Sequence, residues 1–190
     1  MPFKIQDFRG KALNKAGARA NLFEVTMKAP QVATELNADG GKEFSFSCKA
    51  AAIPAMAVGT IDVPYFGRVI KVPGNKTFEN WSVTIINDEG FAIRNGMERL
   101  IAAMATHATN VATIGADFTA SGGNLYGNAT VKHYNKSNDK TIAEYKFVNM
   151  SPVSLSEIAL GWDANDAIEE FTCEFAYDYW LHTDVVSAGE

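Results

Sequence analysis

Cysteine is nearly absent from this chain. Cys48 and Cys173 are the only two in 190 residues, and they form no CxxC pair. A disulfide framework is therefore excluded, and with His107, His133 and His182 scattered singly a structural zinc site is not expected either. No stretch approaches the ~20 apolar residues that a spanning helix requires. Lys4, Asp7, Arg9 and Lys11 interrupt the start, so no leader is expected and the protein is expected to be made and kept in a cytoplasm, without stable membrane association. Positive charge is the scarcer sign: 17 Lys and Arg against 22 Asp and Glu leave a net charge of −5. That is the wrong balance for a protein that holds nucleic acid by neutralising phosphates.

Catalytic signatures are missing too. The chain has no GxSxG, no HExxH and no GxxxxGK[ST], the arrangements that expose a nucleophile, bind zinc or cradle a phosphate. Asp163-Ala164-Asn165-Asp166 opens like a calcium loop and Glu174 stands at its twelfth position. Ala167 at position five cannot ligate, however, and Ile168 occupies the place where glycine makes the turn. Glu169-Glu170 and Asp88-Glu89 are sequence neighbours, so on a strand they point to opposite faces and cannot share a proton. No enzyme, no metal and no cofactor is expected.

What is present is period-two alternation, the mark of half-buried strands. It runs through 43–49 (Phe44, Phe46 and Cys48 on one face; Glu43, Ser45, Ser47 and Lys49 on the other), through Trp81, Val83 and Ile85, through 125–134, and through 141–151. Pro152 interrupts the last of these before 153–156 resumes it. A further strand covers 170–180, with Phe171, Cys173, Phe175, Tyr177 and Tyr179 aligned. Residues 60–72 are rich in Ile, Val, Tyr and Phe around Pro64 and Gly67, which predicts one edge, bulged or sharply bent strand. Residues 135–140 turn 125–134 into 141–151 as a hairpin. One helix is predicted over 91–106, where Ile93, Met97, Leu100, Ile101 and Met104 recur three and four apart and Asp88 offers an N-cap. Residues 10–20 read as an arm that orders against something else, and 30–42 and 50–59 as long loops. At ~100–200 residues per domain, 1–190 is one domain, with 1–20 as its N-terminal arm. The expected class is mainly β: a sandwich or barrel-like subunit with one flanking helix.

Taken in order, several segments resemble the tail tube proteins of contractile-tailed bacteriophages: Arg19 to Val25 behind a charged arm, Phe44 to Cys48, Ala51-Ala52-Ile53-Pro54, Ile61 to Arg68, Phe78 to Glu89, Arg94 and Met97-Glu98, and Ile168 to Trp180. The Gly- and Asn-rich 117–128 stretch departs from the pattern by its length. The resemblance implies a structural virion protein located in the tail and assembled in the cytoplasm of the host bacterium. Six copies would close a ring around a continuous inner β-barrel. Rings would stack into the tube that conducts viral DNA when the sheath contracts, with the sheath, baseplate and tail-terminator proteins as partners. A ring would satisfy sheet edges otherwise prone to aggregate, and an acidic wall would let DNA pass without holding it.

On that reading the lumen-facing sheet uses strands near 43–49, 60–72, 126–134 and 141–157, and the residues expected to face the lumen are Glu43, Ser45, Ser47, Lys49, Asn128, Thr130, Lys132, Glu144 and Lys146. Residues 50–58 are too apolar to lie bare in water, which makes Ile53, Pro54, Met56 and Val58 the expected inter-ring contacts, with 30–42 and 10–20 beside them. Two alternatives stay open: the tube of a contractile secretion or killing machine, and a monomeric ligand-binding β-barrel.

Overall fold

The computed structural model describes residues 5, 10, 17–30, 33, 36, 42–112, 125–137 and 140–183, with the backbone alone for Lys42, Glu43 and Phe46. Most of the 10–20 arm, most of the loop 30–42 and the stretch 117–124 lie outside the described residues. The strands are β1 (Phe23–Lys28), β2 (Cys48–Ala51), β3 (Met56–Tyr65), β4 (Arg68–Phe78), β5 (Trp81–Ile86), β6 (Gly127–Tyr134), β7 (Thr141–Leu155), β8 (Glu170–Ala176) and β9 (Tyr179–His182). The helices are α1 (Lys42–Ser47) and α2 (Ala92–Met104).

β7 organises the sheet. Its first part pairs with β6, which pairs with β1, and Tyr145 to Val148 also pair with β9. Past Met150 the same strand pairs instead with β8, which continues through β5 to β2. All these pairings are antiparallel, so one hydrogen-bonded path, β1-β6-β7-β8-β5-β2, folds over at β7 and encloses the core. The fold-over sits at a register shift between Pro152 and Ser154, where the missing N–H of proline is tolerated because the ladder is already broken.

Alternation explains which faces are covered. Trp81, Val83 and Ile85 of β5 stand opposite Phe175, Cys173 and Phe171 of β8, and all six are buried. Trp81 crosses to the other half: its ring stacks on Phe147 of β7 at 4.4 Å, and its Nε1–H donates to the carbonyl of Ala52 at 2.7 Å. Burying side chains of this size stabilises by about 1.5–3 kcal/mol each. Helix α2 closes one side through Ile93, Met97, Leu100 and Ala103. Arg94 lies over the ring of Phe171, 5.1 Å from its centroid, and donates to the carbonyl of Ser156 at 2.8 Å.

The mainly β architecture with a flanking helix agrees with the sequence reading, but several elements differ. Residues 43–49 are not one strand: 42–47 form α1, and only 48–51 continue extended. Phe44 and Cys48 alternate with polar residues, yet they also stand four apart, so that pair by itself does not tell a strand from a helix, and Phe44 is buried with α1 against β1. Residues 60–72 are not one bent strand but parts of two, because Phe66 and Gly67 both take positive φ, 42° and 78°, and turn the chain back. Pro152 does not interrupt its strand; β7 runs through it. Residues 170–180 divide at Tyr177-Asp178, where the chain leaves β8 and crosses to β7 as β9. Helix α2 starts at Ala92, whose N–H donates to the Asp88 carboxylate at 3.3 Å, while Phe91 at the helix entry provides no side-chain cap.

Candidate assembly surfaces

The outer face of β1, β6 and β7 gathers five of the nine expected lumen residues. The β6–β7 register sets Thr130 beside Lys146 and Lys132 beside Glu144. Paired strands direct facing residues to the same side, so these four share a face, with Asn128 at its end, opposite the buried Ala129, Val131 and Phe147. β1 extends the face: Glu24, Thr26 and Lys28 stand opposite Lys132, Thr130 and Asn128. Tyr134 O–H donates to the Glu24 carboxylate, and the Lys146 ammonium meets Glu144 at 3.4 Å. Three lysines (28, 132, 146) against two glutamates (24, 144) leave the face close to neutral, so the chain's negative balance resides elsewhere. Glu24, Thr26 and Lys28 were not singled out from sequence, although Phe23-Glu24-Val25-Thr26-Met27-Lys28 alternates as clearly as β5 does.

The remaining four expected lumen residues lie apart. Lys49 is on β2, which pairs only with β5 among the described strands, and forms an ion pair with Glu170 of β8. Glu43, Ser45 and Ser47 belong to α1, where 43 and 47 are one turn apart and 45 is half a turn away, so the three share no face.

The β3–β4 hairpin is the second surface. Met56 stands opposite Phe78 and Tyr65 opposite Arg68 around the Phe66-Gly67 turn; positive φ at both central residues suits the right-handed twist of two strands joined by a tight turn. Every residue of β3 is exposed, as is every residue of β4 except Gly74 and Phe78. Ile61 opposite Val72 and Val63 opposite Ile70 make an aliphatic strip on one side, and Asp62 meets Lys71 at 3.3 Å on the other. Phe66 at the tip is 91% exposed. Phe78 fixes the base through ring contacts to Tyr177 and Trp180. Ile53, Met56 and Val58 are exposed and Pro54 is half-buried at the foot of the same hairpin. Expected as a loop, 50–59 contains the end of β2 and the start of β3. The strand-forming composition of 60–72 was visible in the sequence; that both faces of it would be bare was not.

Unpaired edges are the third feature. β1 pairs only with β6, β2 only with β5 and β9 only with β7 among the described strands, which leaves rows of backbone donors and acceptors for another chain.

The family model for phage tail tube proteins matches residues 18–183. The chain belongs to that family. It is 32% identical over 166 residues, 86% of this chain and 90% of the relative, to tail tube protein gp19 of Enterobacteria phage T4. Among solved structures it shares the fold of a protein from the anti-feeding prophage cap, with TM-score 0.59, 16% identity and coverage of 87% of this chain and 90% of the other. A chain of the sheath–tube complex of the PVC extracellular contractile injection system matches at TM-score 0.52 and 12% identity, over 95% and 97% of the two chains.

The chemistry within this tail tube family member is quiet. Burial pushes the Cys48 thiol up to about 12 and raises that of Cys173 as well, so neither supplies a thiolate near neutrality. Among the described residues no three His, Cys, Asp or Glu side chains are grouped to hold a metal ion.

Proposed function

We propose that six copies of this tail tube protein close into a ring and that rings stack into the inner tube of a contractile tail, through which viral DNA passes when the sheath contracts. The observation that carries this reading is the β3–β4 hairpin: in a chain of this family, an aliphatic strip and a near-bare tip extend from the packed body. A two-stranded hairpin is marginal by itself in water, and contiguous exposed apolar surface marks a contact. Neighbouring copies cover the hairpin and pair the free edges of β1, β2 and β9. Ile53, Pro54, Met56 and Val58 at its foot contribute to the contact between rings.

The near-neutral face of Glu24, Thr26, Lys28, Asn128, Thr130, Lys132, Glu144 and Lys146 lines the lumen. With lysines offset by glutamates it gains little from counterion release, the main source of nonspecific DNA affinity, and DNA slides past. Lys49 and the α1 residues Glu43, Ser45 and Ser47 lie outside that lining. The role is structural, with no catalysis and no cofactor. Sheath, baseplate and tail-terminator proteins are its partners, assembly takes place in the host cytoplasm, and the virion tail is where it resides. A secretion or killing machine would use the same ring, but the relative at 32% identity is a phage tail protein.

Negative-stain electron microscopy with sedimentation analysis of the purified chain tests the reading. Six-fold rings or stacked tubes are expected. A species that remains monomeric at high concentration, with a closed apolar pocket that takes up ligand, would replace the tube by the monomeric barrel.

A further inference from the structure

The segment between β7 and β8 concentrates charge of one sign. From Glu157 to Glu170 the sequence has five carboxylates (157, 163, 166, 169, 170) and no lysine or arginine, which equals the net −5 of the whole chain. It also displays the most exposed large apolar side chain described: Trp162 is 104% exposed, with Leu160 at 81% and Ile168 at 72%. Its base is held in place. Ser156 and Thr172 exchange hydrogen bonds at 2.8 Å, Asn87 Nδ2 donates to Glu169 at 2.9 Å, and Lys49 pairs with Glu170. Among the described residues Glu157, Asp163 and Asp166 have no partner, so three free carboxylates flank a bare indole along the loop. An aromatic anchor within a charged rim is the composition of an interface centre.

The hairpin is its complement. From Met56 to Phe78 it carries Arg68, Lys71 and Lys76 against Asp62 alone. Lys71 is engaged by Asp62, while Arg68 and Lys76 have no partner among the described residues. Arg68 follows directly on the bare Phe66-Gly67 tip, beside Tyr65. Both surfaces are exposed in one chain, so they do not satisfy each other there.

We infer that the acidic Trp162 loop of one subunit is the receptor for the basic, aromatic hairpin tip of another copy of the chain. This rests on the self-assembly reading above and names the second half of its contact. The two halves lie on different surfaces, so the contact is head-to-tail and propagates around a ring or along a stack. The basic arm, 1–20, is the competing occupant; the hairpin is chosen because Phe66 at its tip is bare and the adjacent Arg68 has no partner among the described residues.

The test uses two full-length double variants, Asp163→Lys with Asp166→Lys and Arg68→Glu with Lys76→Glu, whose altered side chains are all exposed and whose folding is checked by thermal melting. Each alone sets like charges against each other and is expected to self-associate about tenfold or more weakly than the parent chain by sedimentation. Their equimolar mixture restores opposite charges at both kinds of contact and recovers association to within about threefold of the parent. A mixture that stays as weak as its components overturns the docking, as does a loop variant that associates normally. Recovery when Lys11→Glu with Lys15→Glu replaces the hairpin variant assigns the loop to the arm and overturns it too. Rings from the parent without recovery in the mixture reject the docking and leave the tube. Recovery in the mixture without rings rejects the tube and leaves the docking.

Discussion

Trp81 and Ile61 both lie on antiparallel strands of this chain, yet the first is 1% exposed and the second 57%. β5 is covered by its neighbours on both edges and by Phe147 across the core, whereas β3 has only β4 among the described strands. The β7-centred body is folded for itself; on the proposed reading the hairpin is complete only against another molecule. What separates them is not strand propensity, which β3 and β4 have in abundance, but whether the chain returns to cover the strand's face. An aliphatic strip that the described residues leave bare fits the proposed contact with a neighbour.

The comparison breaks first in the body. Trp81→Ala removes the stack on Phe147 and the hydrogen bond to Ala52, and is expected to lower stability by about 3–5 kcal/mol; a denaturant midpoint close to the parent's would show that the body does not rest on this contact. Gly127→Ala comes next. A methyl there meets the Lys28 carbonyl oxygen at 2.8 Å and the Pro30 ring at 3.2 Å, so β6 must move from β1, at about 1–3 kcal/mol, again read from the denaturation midpoint.

The hairpin should behave in the opposite way. Ile53→Asp with Met56→Asp alters two exposed side chains, so monomer stability should change by no more than about 0.5 kcal/mol while stacked assembly is lost. Tubes of ordinary length from that double variant would remove the foot of the hairpin from the contact between rings.

The smallest effect expected is at Tyr134. Its O–H donates to Glu24, and this hydrogen bond, with burial and the Glu24 charge behind it, raises the phenol from the ordinary 10.0 to about 12. The folded state favours the protonated phenol, so this contribution is complete below pH 10 and disappears as the pH rises through about 12. In a spectrophotometric titration the Tyr134 phenolate should form late, beside that of Tyr177, which burial also raises, and Tyr134→Phe should remove one late step and leave the other.

Alternation located β5, β6, most of β7 and β8, and the three-and-four spacing located the stripe of α2; β1, with Val25 and Met27 buried, alternates as clearly and was not read. The failures have physical causes. At 44 and 48 a spacing of four satisfies strand and helix alike, and only packing against β1 decides. At 66–67 the turn depends on a phenylalanine with positive φ, which side-chain statistics disfavour. At 152 and 177–178 the chain changes partner sheets, a tertiary event with no local signal. Of the surfaces, the apolar foot 53–58 and the polar strands 128–132 and 144–146 could be read from the sequence. The grouping of β1 with them, and the separation of Lys49 from them, depends on strand order, which alternation does not carry.

Hydrogen–deuterium exchange on the free subunit and on the assembled tube, followed strand by strand, tests most directly the claim that the body is folded for itself and the hairpin for its neighbour. β5 and β8 should be protected in both states. β3 and β4 should exchange rapidly in the free subunit and become protected on assembly. Hairpin amides that exchange equally fast in the tube would contradict the account.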